Sequence, residues 1–422
     1  MSISGFTRFA HTSFVAAAML VGCGGGQPPM GASGAMPRAS ALAPRANSTN
    51  YKTLYSFGAI PDGNNPHAGL IDMGGTLYGT TEYGGSHTCY YGSYSVYYTC
   101  GTVFSITTGG AERVLYSFGA PPDGYNPDTS LLDVGGTLYG TTENGGSYRC
   151  RYESNDSDCG TVFSVTTGGT ENVLHSFAGP DGALPAAALL NVNGTLYGTT
   201  AGGGAHSCGS YLRFCGTVFS ITKGGTEHVV YSFNHGHHAN TPLGALIDAD
   251  GTLYGTTSHG GAHSSGTVFT MTPGGGFKLL HSFGNTNGGP RGALVEVKGT
   301  FYGTTGSTVF SITPGGTEKL LHSFGKGDGR PGGYLIEVKG TLYGTTSDGG
   351  GSGCRSSSSS SGCGTVFSIA TSGTEKVLHS FGYSKADGTK PAGGLIDVDG
   401  TLYGTTFAGG TNGHGTVFAL TP

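Results

Sequence analysis

The tetrapeptide Tyr-Gly-Thr-Thr occurs seven times, beginning at Tyr78, Tyr139, Tyr197, Tyr254, Tyr302, Tyr343 and Tyr403. Each copy is followed by Gly-Thr-Val-Phe, varied once to Ser307-Thr308-Val309-Phe310. A further phrase ends in Ser-Phe, at Phe57, Phe118, Phe177, Phe233, Phe283, Phe324 and Phe381. A supersecondary unit used seven times cannot bury its apolar surface alone, so neighbouring copies must cover one another. This constrains architecture far more than activity.

The 422 residues include 83 glycines and only 11% charged side chains. Glycine at that level, without a Gly-X-Y period and spread among short Val, Ile, Leu, Tyr and Phe runs, predicts many tight turns between strands. Each repeat reads as four strands. In the last copy the first three are 394–398, 401–406 and 416–420, and the fourth is represented in the preceding copy by 376–381. The first two are joined by Asp399-Gly400, and elsewhere by Asn193-Gly194, Asp250-Gly251, Lys298-Gly299, Lys339-Gly340 or Gly-Gly. Such pairs take positive φ and close two-residue hairpins. A segment such as Val366-Phe367-Ser368-Ile369 is apolar on both faces, as a sheet sandwiched between two others must be. The expectation is an all-β, seven-bladed propeller of four-stranded antiparallel blades. The repeats open with a lone fourth strand (52–57) and close without one, so the N-terminal strand is expected to complete the last blade.

Residues 1–22 read as a leader, with Arg8 ahead of an apolar run, 14–21, too short for a finished membrane span. The leader ends in Leu20-Val21-Gly22-Cys23, which resembles the lipobox of bacterial lipoproteins. That resemblance implies cleavage before Cys23, its lipidation, and an exported protein anchored at the outer membrane or cell surface. Residues 23–50, rich in Gly, Pro, Ala and Ser, read as a flexible tether, and residues 51–422 as the propeller. The net charge is −5 with no basic run, which argues against nucleic acid as a partner. The other eight cysteines fall as local pairs, Cys89/Cys100, Cys150/Cys159, Cys208/Cys215 and Cys354/Cys363, always between Tyr-Gly-Thr-Thr and Gly-Thr-Val-Phe. In an exported chain they read as disulfides stapling long loops.

The phrases DGTLYGTT, GGTNGHGTVF and GTEKVLHSF resemble the GloVer repeat of the bacterial choice-of-anchor tandem-repeat proteins, across residues 51–422. The resemblance implies an exported, anchored, propeller-like protein and transfers no catalytic residue.

In a meander the tight turns share one face, and the long second-to-third and inter-repeat loops share the other. The long-loop face is therefore where a glycan or protein ligand is expected. There, His235, His237 and His238 in one loop and His259 and His263 in the next read either as a transition-metal site or as a solvated loop. Tyr83, Tyr90, Tyr91, Tyr94, Tyr97 and Tyr98 crowd one stapled loop, as rings for stacking on sugar or merely as an adherent loop. A polar position recurs near the end of each first strand: Asp72, Asp133, Asn191, Asp248, Glu296, Glu337 and Asp397. It reads either as a ring around the channel that holds a cation such as calcium, or as side chains accepting hydrogen bonds from the adjacent turns. No cofactor is required by any motif. There is no nucleophile elbow, metalloprotease helix or phosphate loop. The expected role is a binding or structural module, with an extracytoplasmic polysaccharide lyase or hydrolase as the alternative.

Overall fold

The structure, a computed structural model, describes residues 50–91, 96–152, 155–206, 215–234, 239–284, 288–325, 327–350 and 362–422. The expected leader, Cys23 and the tether lie outside the described residues.

Every regular element among the described residues is a strand. Seven antiparallel sheets follow one plan. In blade 1 the strands are Ile71–Met73, Thr76–Thr81, Thr102–Thr107 and Glu112–Ser117, hydrogen-bonded in chain order. Blade 7 departs from this plan in its chain order alone. Its outer strand is the N-terminal Tyr51–Ser56, paired with Thr416–Leu420 in a register that sets Tyr51 opposite Leu420 and Ser56 opposite Thr416. The ring closes as the repeat phase requires. In blade 3 a short extra strand, Ala183–Pro185, also pairs with Thr195–Gly202. The first hairpin turns take positive φ even where lysine leads, at 51° for Lys298 and 52° for Lys339.

The repeated phrases become legible as packing requirements. Seven apolar clusters fill the seven interfaces between blades. The Ser-Phe ring of each blade meets the Val-Phe ring of the next edge-on, from Phe57–Phe104 at 5.2 Å round to Phe381–Phe418 at 5.2 Å. Edge-to-face pairs at such distances add about 0.5–1.5 kcal/mol beyond burial. In Tyr-Gly-Thr-Thr the glycine has no alternative, because a Cβ on Gly79 would lie 2.8 Å from both Leu70 and Phe104. The first threonine ties one blade to the next, as Thr80 Oγ1 donates to Thr129 O at 3.2 Å and Thr405 Oγ1 to Ala68 O at 2.8 Å. The second threonine binds the threonine of Gly-Thr-Val-Phe within its own blade, as in Thr81–Thr102 at 2.7 Å and Thr406–Thr416 at 2.8 Å. These hydroxyls are buried, and burial demands that they be paired.

Cys89–Cys100 and Cys150–Cys159 are disulfides, and Cys215 and Cys363 are disulfide-bonded. Cys208 and Cys354 lie outside the described residues. Each staple closes only a local loop, so the sheets do not depend on it for their pairing.

Candidate functional site

A channel runs down the centre of the ring, lined by three consecutive residues from each blade: 67–69, 128–130, 186–188, 243–245, 291–293, 332–334 and 392–394. These segments precede the innermost strands. The first strands then lead away to the tight turns, so the segments open at the long-loop face. Most lining residues are Gly or Ala, which lets seven backbones converge. The cavity is narrow, about 130 Å³, and Tyr334 crosses it. Its hydroxyl lies 3.3 Å from Ser130 Oγ, and it passes where a Cβ on Gly69 or Gly394 would collide with it. Burial raises the Tyr334 phenol pKa. The channel is therefore plugged below its mouth.

The mouth breaks the sevenfold symmetry. The first lining position is His67, Asp128, Ala186, Leu243, Arg291, Gly332 and Ala392, so charge gathers mainly at blades 1 and 2. Glu82 and Glu143, just past the Tyr-Gly-Thr-Thr strands of those blades, join Asp128 there. Burial first, and then the neighbouring charge of Glu82, raises the Asp128 carboxyl. Burial and the charges of Asp128 and Glu82 raise Glu143, with His67 pulling the other way. Asp128 Oδ1 is buried and has no hydrogen-bond partner among the described residues. The positions of Glu82 and Glu143 are held by backbone: Asn126 Nδ2 donates to Glu82 O at 3.0 Å, and Glu143 N donates to Asn126 O at 3.0 Å. Tyr83 borders the cluster, its phenol raised by burial and by Glu82, and its ring lies 5.7 Å from that of the exposed Tyr98.

The outer rim carries further raised carboxyls. Tyr55 donates to Asp62 at 2.9 Å beside Glu112, and Tyr116 to Asp123 at 2.8 Å beside Glu171. Glu112 and Glu171 are pushed up to about 7, by burial first and by the adjacent aspartate second. A carboxyl raised on folding binds more protons folded than unfolded, so its stabilisation is full below about pH 4.5 and fades as pH rises through about 7. Asp181 and Asp387 are lowered instead. Their stabilisation is lost only as pH falls below the ordinary carboxylate range, outside this window. His322 is lowered by burial and opposes the trend, as one group against several. Thermal unfolding followed by circular dichroism in EDTA is therefore expected to give a higher Tm at pH 5.5 than at pH 8, with the difference reduced in Glu112→Gln, Glu171→Gln. A Tm that is flat or rises over that interval would contradict the assignment.

The residues singled out in the sequence are placed as follows. Asp72, Asp133, Asn191, Asp248, Glu296, Glu337 and Asp397 stand exposed on the innermost strands at the tight-turn end, away from the lining. Asp72 accepts from Gly75 N at 2.8 Å, Asp133 from Gly136 N at 2.8 Å and Asn191 from Gly194 N at 2.9 Å. Glu296 and Glu337 accept likewise from Gly299 and Gly340. The axial cavity is lined by the segments before these strands, and the polar side chains stand beyond it at the tight-turn end. His259 and His263 are exposed, and His259 Nδ1 lies 2.9 Å from Ser258 Oγ. His235, His237 and His238 lie outside the described residues, as do the side chains of Tyr90, Tyr91, Tyr94 and Tyr97. Sequence reasoning missed His67, Asp128, Glu143 and Tyr334. Part of the signal was present: in a small-residue segment repeated after Pro, His67, Asp128 and Tyr334 are among the positions that depart from Ala and Gly, and Glu143 directly follows the second Tyr-Gly-Thr-Thr.

Among solved structures the fold is similar to streptogramin B lyase, with TM-score 0.56 and 14% identity over 88% of this chain and 97% of that one. It is also similar to two extracellular domains from B. thetaiotaomicron, at TM-scores 0.54 and 0.51 and identities of 10% and 13%. Each match covers 88% of this chain and 40% or 41% of the other. At these identities the likeness is one of fold. No curated protein matches the sequence. The model of the Gloeobacter/Verrucomicrobia repeat matches residues 41–212, 88–308, 148–357 and 306–422, the same stretch that carries the seven blades. The chain belongs to the Gloeobacter/Verrucomicrobia repeat family.

Proposed function

We propose that this is an exported, lipid-anchored binding propeller that holds a hydroxyl-rich ligand, the end of a glycan chain, over the channel mouth at blades 1 and 2. One observation carries the reading: Asp128 Oδ1 is buried at the mouth without a partner among the described residues, and an unmatched buried acceptor costs free energy until a donor reaches it. Sugar hydroxyls donate to a carboxylate and accept from a protonated carboxyl, so they suit a cluster whose carboxyls are raised toward neutrality. Tyr83 and Tyr98 add flat rings at the edge, and the Tyr334 plug keeps the ligand at the mouth. The anchoring half rests on the lipobox-like Leu20–Cys23. Intact mass of the membrane-extracted protein should find acyl chains on Cys23, and an unmodified Cys23 would remove that half.

A screen of residues 51–422 on a glycan array, followed by calorimetry, tests the binding half. Asp128→Asn, Glu143→Gln replaces raised carboxyls by amides of the same shape. It is expected to fold normally and to bind tenfold or more weakly, since hydrogen bonds to charged groups are worth roughly 1.5–3 kcal/mol. Equal affinity in both proteins would sink the reading. A lyase or hydrolase is the second reading, favoured by the same raised carboxyls, which suit proton transfer at neutral pH. Turnover of the retained polysaccharide, lost in Glu143→Gln, distinguishes it from binding alone.

A further inference from the structure

Where the outer strands of adjacent blades meet, one arrangement recurs. An aromatic or imidazole side chain near the end of one outer strand, an aspartate in the loop that follows, and a glutamate opening the next outer strand converge on one point. At two interfaces the first member is tyrosine, Tyr55 with Asp62 and Glu112, then Tyr116 with Asp123 and Glu171. Between blades 2 and 3 it is His175, on Glu171–Ser176, with Asp181 in the loop and Glu227 on Glu227–Ser232. Here His175 Nε2 lies 2.9 Å from Asp181 Oδ2, and the ligand atoms of all three residues lie within 4.8 Å of one another. Asp181 Oδ1 is held by Ala178 N at 2.8 Å, leaving Oδ2 toward the imidazole. Glu227 Oε1 is buried and has no hydrogen-bond partner among the described residues. All three residues are half-buried.

We propose that His175, Asp181 and Glu227 form a zinc site that clamps blade 2 to blade 3 at the rim. The chemistry follows from the exchange of one residue. A tyrosine between two carboxylates supplies a hydrogen to one of them, and its neutral phenol is a poor ligand. A neutral imidazole at the same place, in the tautomer with its one ring proton on Nδ1, offers the Nε2 lone pair, so the set becomes one nitrogen and two carboxylate oxygens. That mixture selects a transition metal over calcium or magnesium, which take oxygen alone. Three protein ligands also match zinc sites that keep a fourth position for water. The two carboxylates supply the negative charge that a divalent ion needs in a partly buried place, and Glu227 Oε1 gains the partner it lacks. His322, Asp328 and Glu375 repeat the residue types between blades 5 and 6. Among the described residues, only the His175 set brings three ligand atoms this close.

The repeat provides the control. His175→Tyr converts this interface into the Tyr116 form that the protein already builds, so the variant should fold with an unchanged circular dichroism spectrum. The metal-stripped 51–422 protein is titrated with Co²⁺ at pH 7.5, reading the visible bands of four-coordinate cobalt, and then back-titrated with Zn²⁺. Wild type should bind one equivalent, which zinc displaces, and His322→Tyr should match it. His175→Tyr should bind more than about 100-fold more weakly, a greater loss than removal of an outer-shell partner causes. Zinc should raise the Tm of wild type and not of His175→Tyr. The proposal is overturned if wild type gives no such bands, if His175→Tyr keeps them, or if His322→Tyr abolishes them. None of these readouts depends on glycan binding at the mouth.

Discussion

Deleting residues 51–57 from the propeller should lower its stability by several kcal/mol and its Tm by more than about ten degrees. The segment is a whole strand of blade 7, and its side chains serve both adjoining interfaces. Phe57 is fully buried against Phe104 of blade 1, and Tyr51 stacks on His379 of blade 6 with ring centroids 3.8 Å apart. Burial of one such side chain contributes roughly 1.5–3 kcal/mol, and the strand also supplies the ladder to Thr416–Leu420. Its loss would leave that strand as an open edge, a template for association between molecules. Calorimetry with size-exclusion chromatography reads both effects. A deletion variant that melts like the parent and stays monomeric would show that the ring is not closed by this strand.

Gly255→Val is expected to be nearly as damaging, from a single residue. A Cβ at this position would lie 2.4 Å from Phe269 Cζ and 2.8 Å from Leu246 Cδ2, both buried side chains. Overpacking ordinarily costs about 1–3 kcal/mol. Here blades press on both faces of the sheet, so the strand has nowhere to move and the cost should reach or exceed the top of that range. Gly274→Ala in the same blade, with open space around its Cβ, should stay within about 0.5 kcal/mol. Equal melting of the two variants would refute the packing account of the repeated glycine.

The fold was legible because the repeat is strict and each phrase has a local reason. Paired Gly or Asn-Gly residues announce hairpins, and the half-blades at 51–56 and 416–420 announce closure before any contact is known. The site was less legible because its parts are assembled by the ring. Asp128 meets Glu82 and Glu143 only once seven segments converge on an axis, and no spacing within the chain encodes that. The polar position at Asp72 and its equivalents drew attention because it recurs, yet five of these side chains accept hydrogen bonds from their own turns. At the mouth the informative residues are the ones that fail to recur. The rim set escaped notice for the same reason: His175 and Glu227 belong to different repeats, and the phrase GTEKVLHSF carries both positions without showing that the glutamate of one copy faces the histidine of the copy before.

The decisive quantity is where the ligand sits on the propeller. Hydrogen–deuterium exchange of the 51–422 protein, with and without the glycan selected on the array, measures this directly. Binding at the mouth predicts slowed exchange in peptides covering 65–68, 81–84, 126–129 and 143–146, with the tight turns at 73–76 and 134–137 unchanged. Protection confined to those turns or to the outer strands, with none around Asp128 and Glu143, would contradict it.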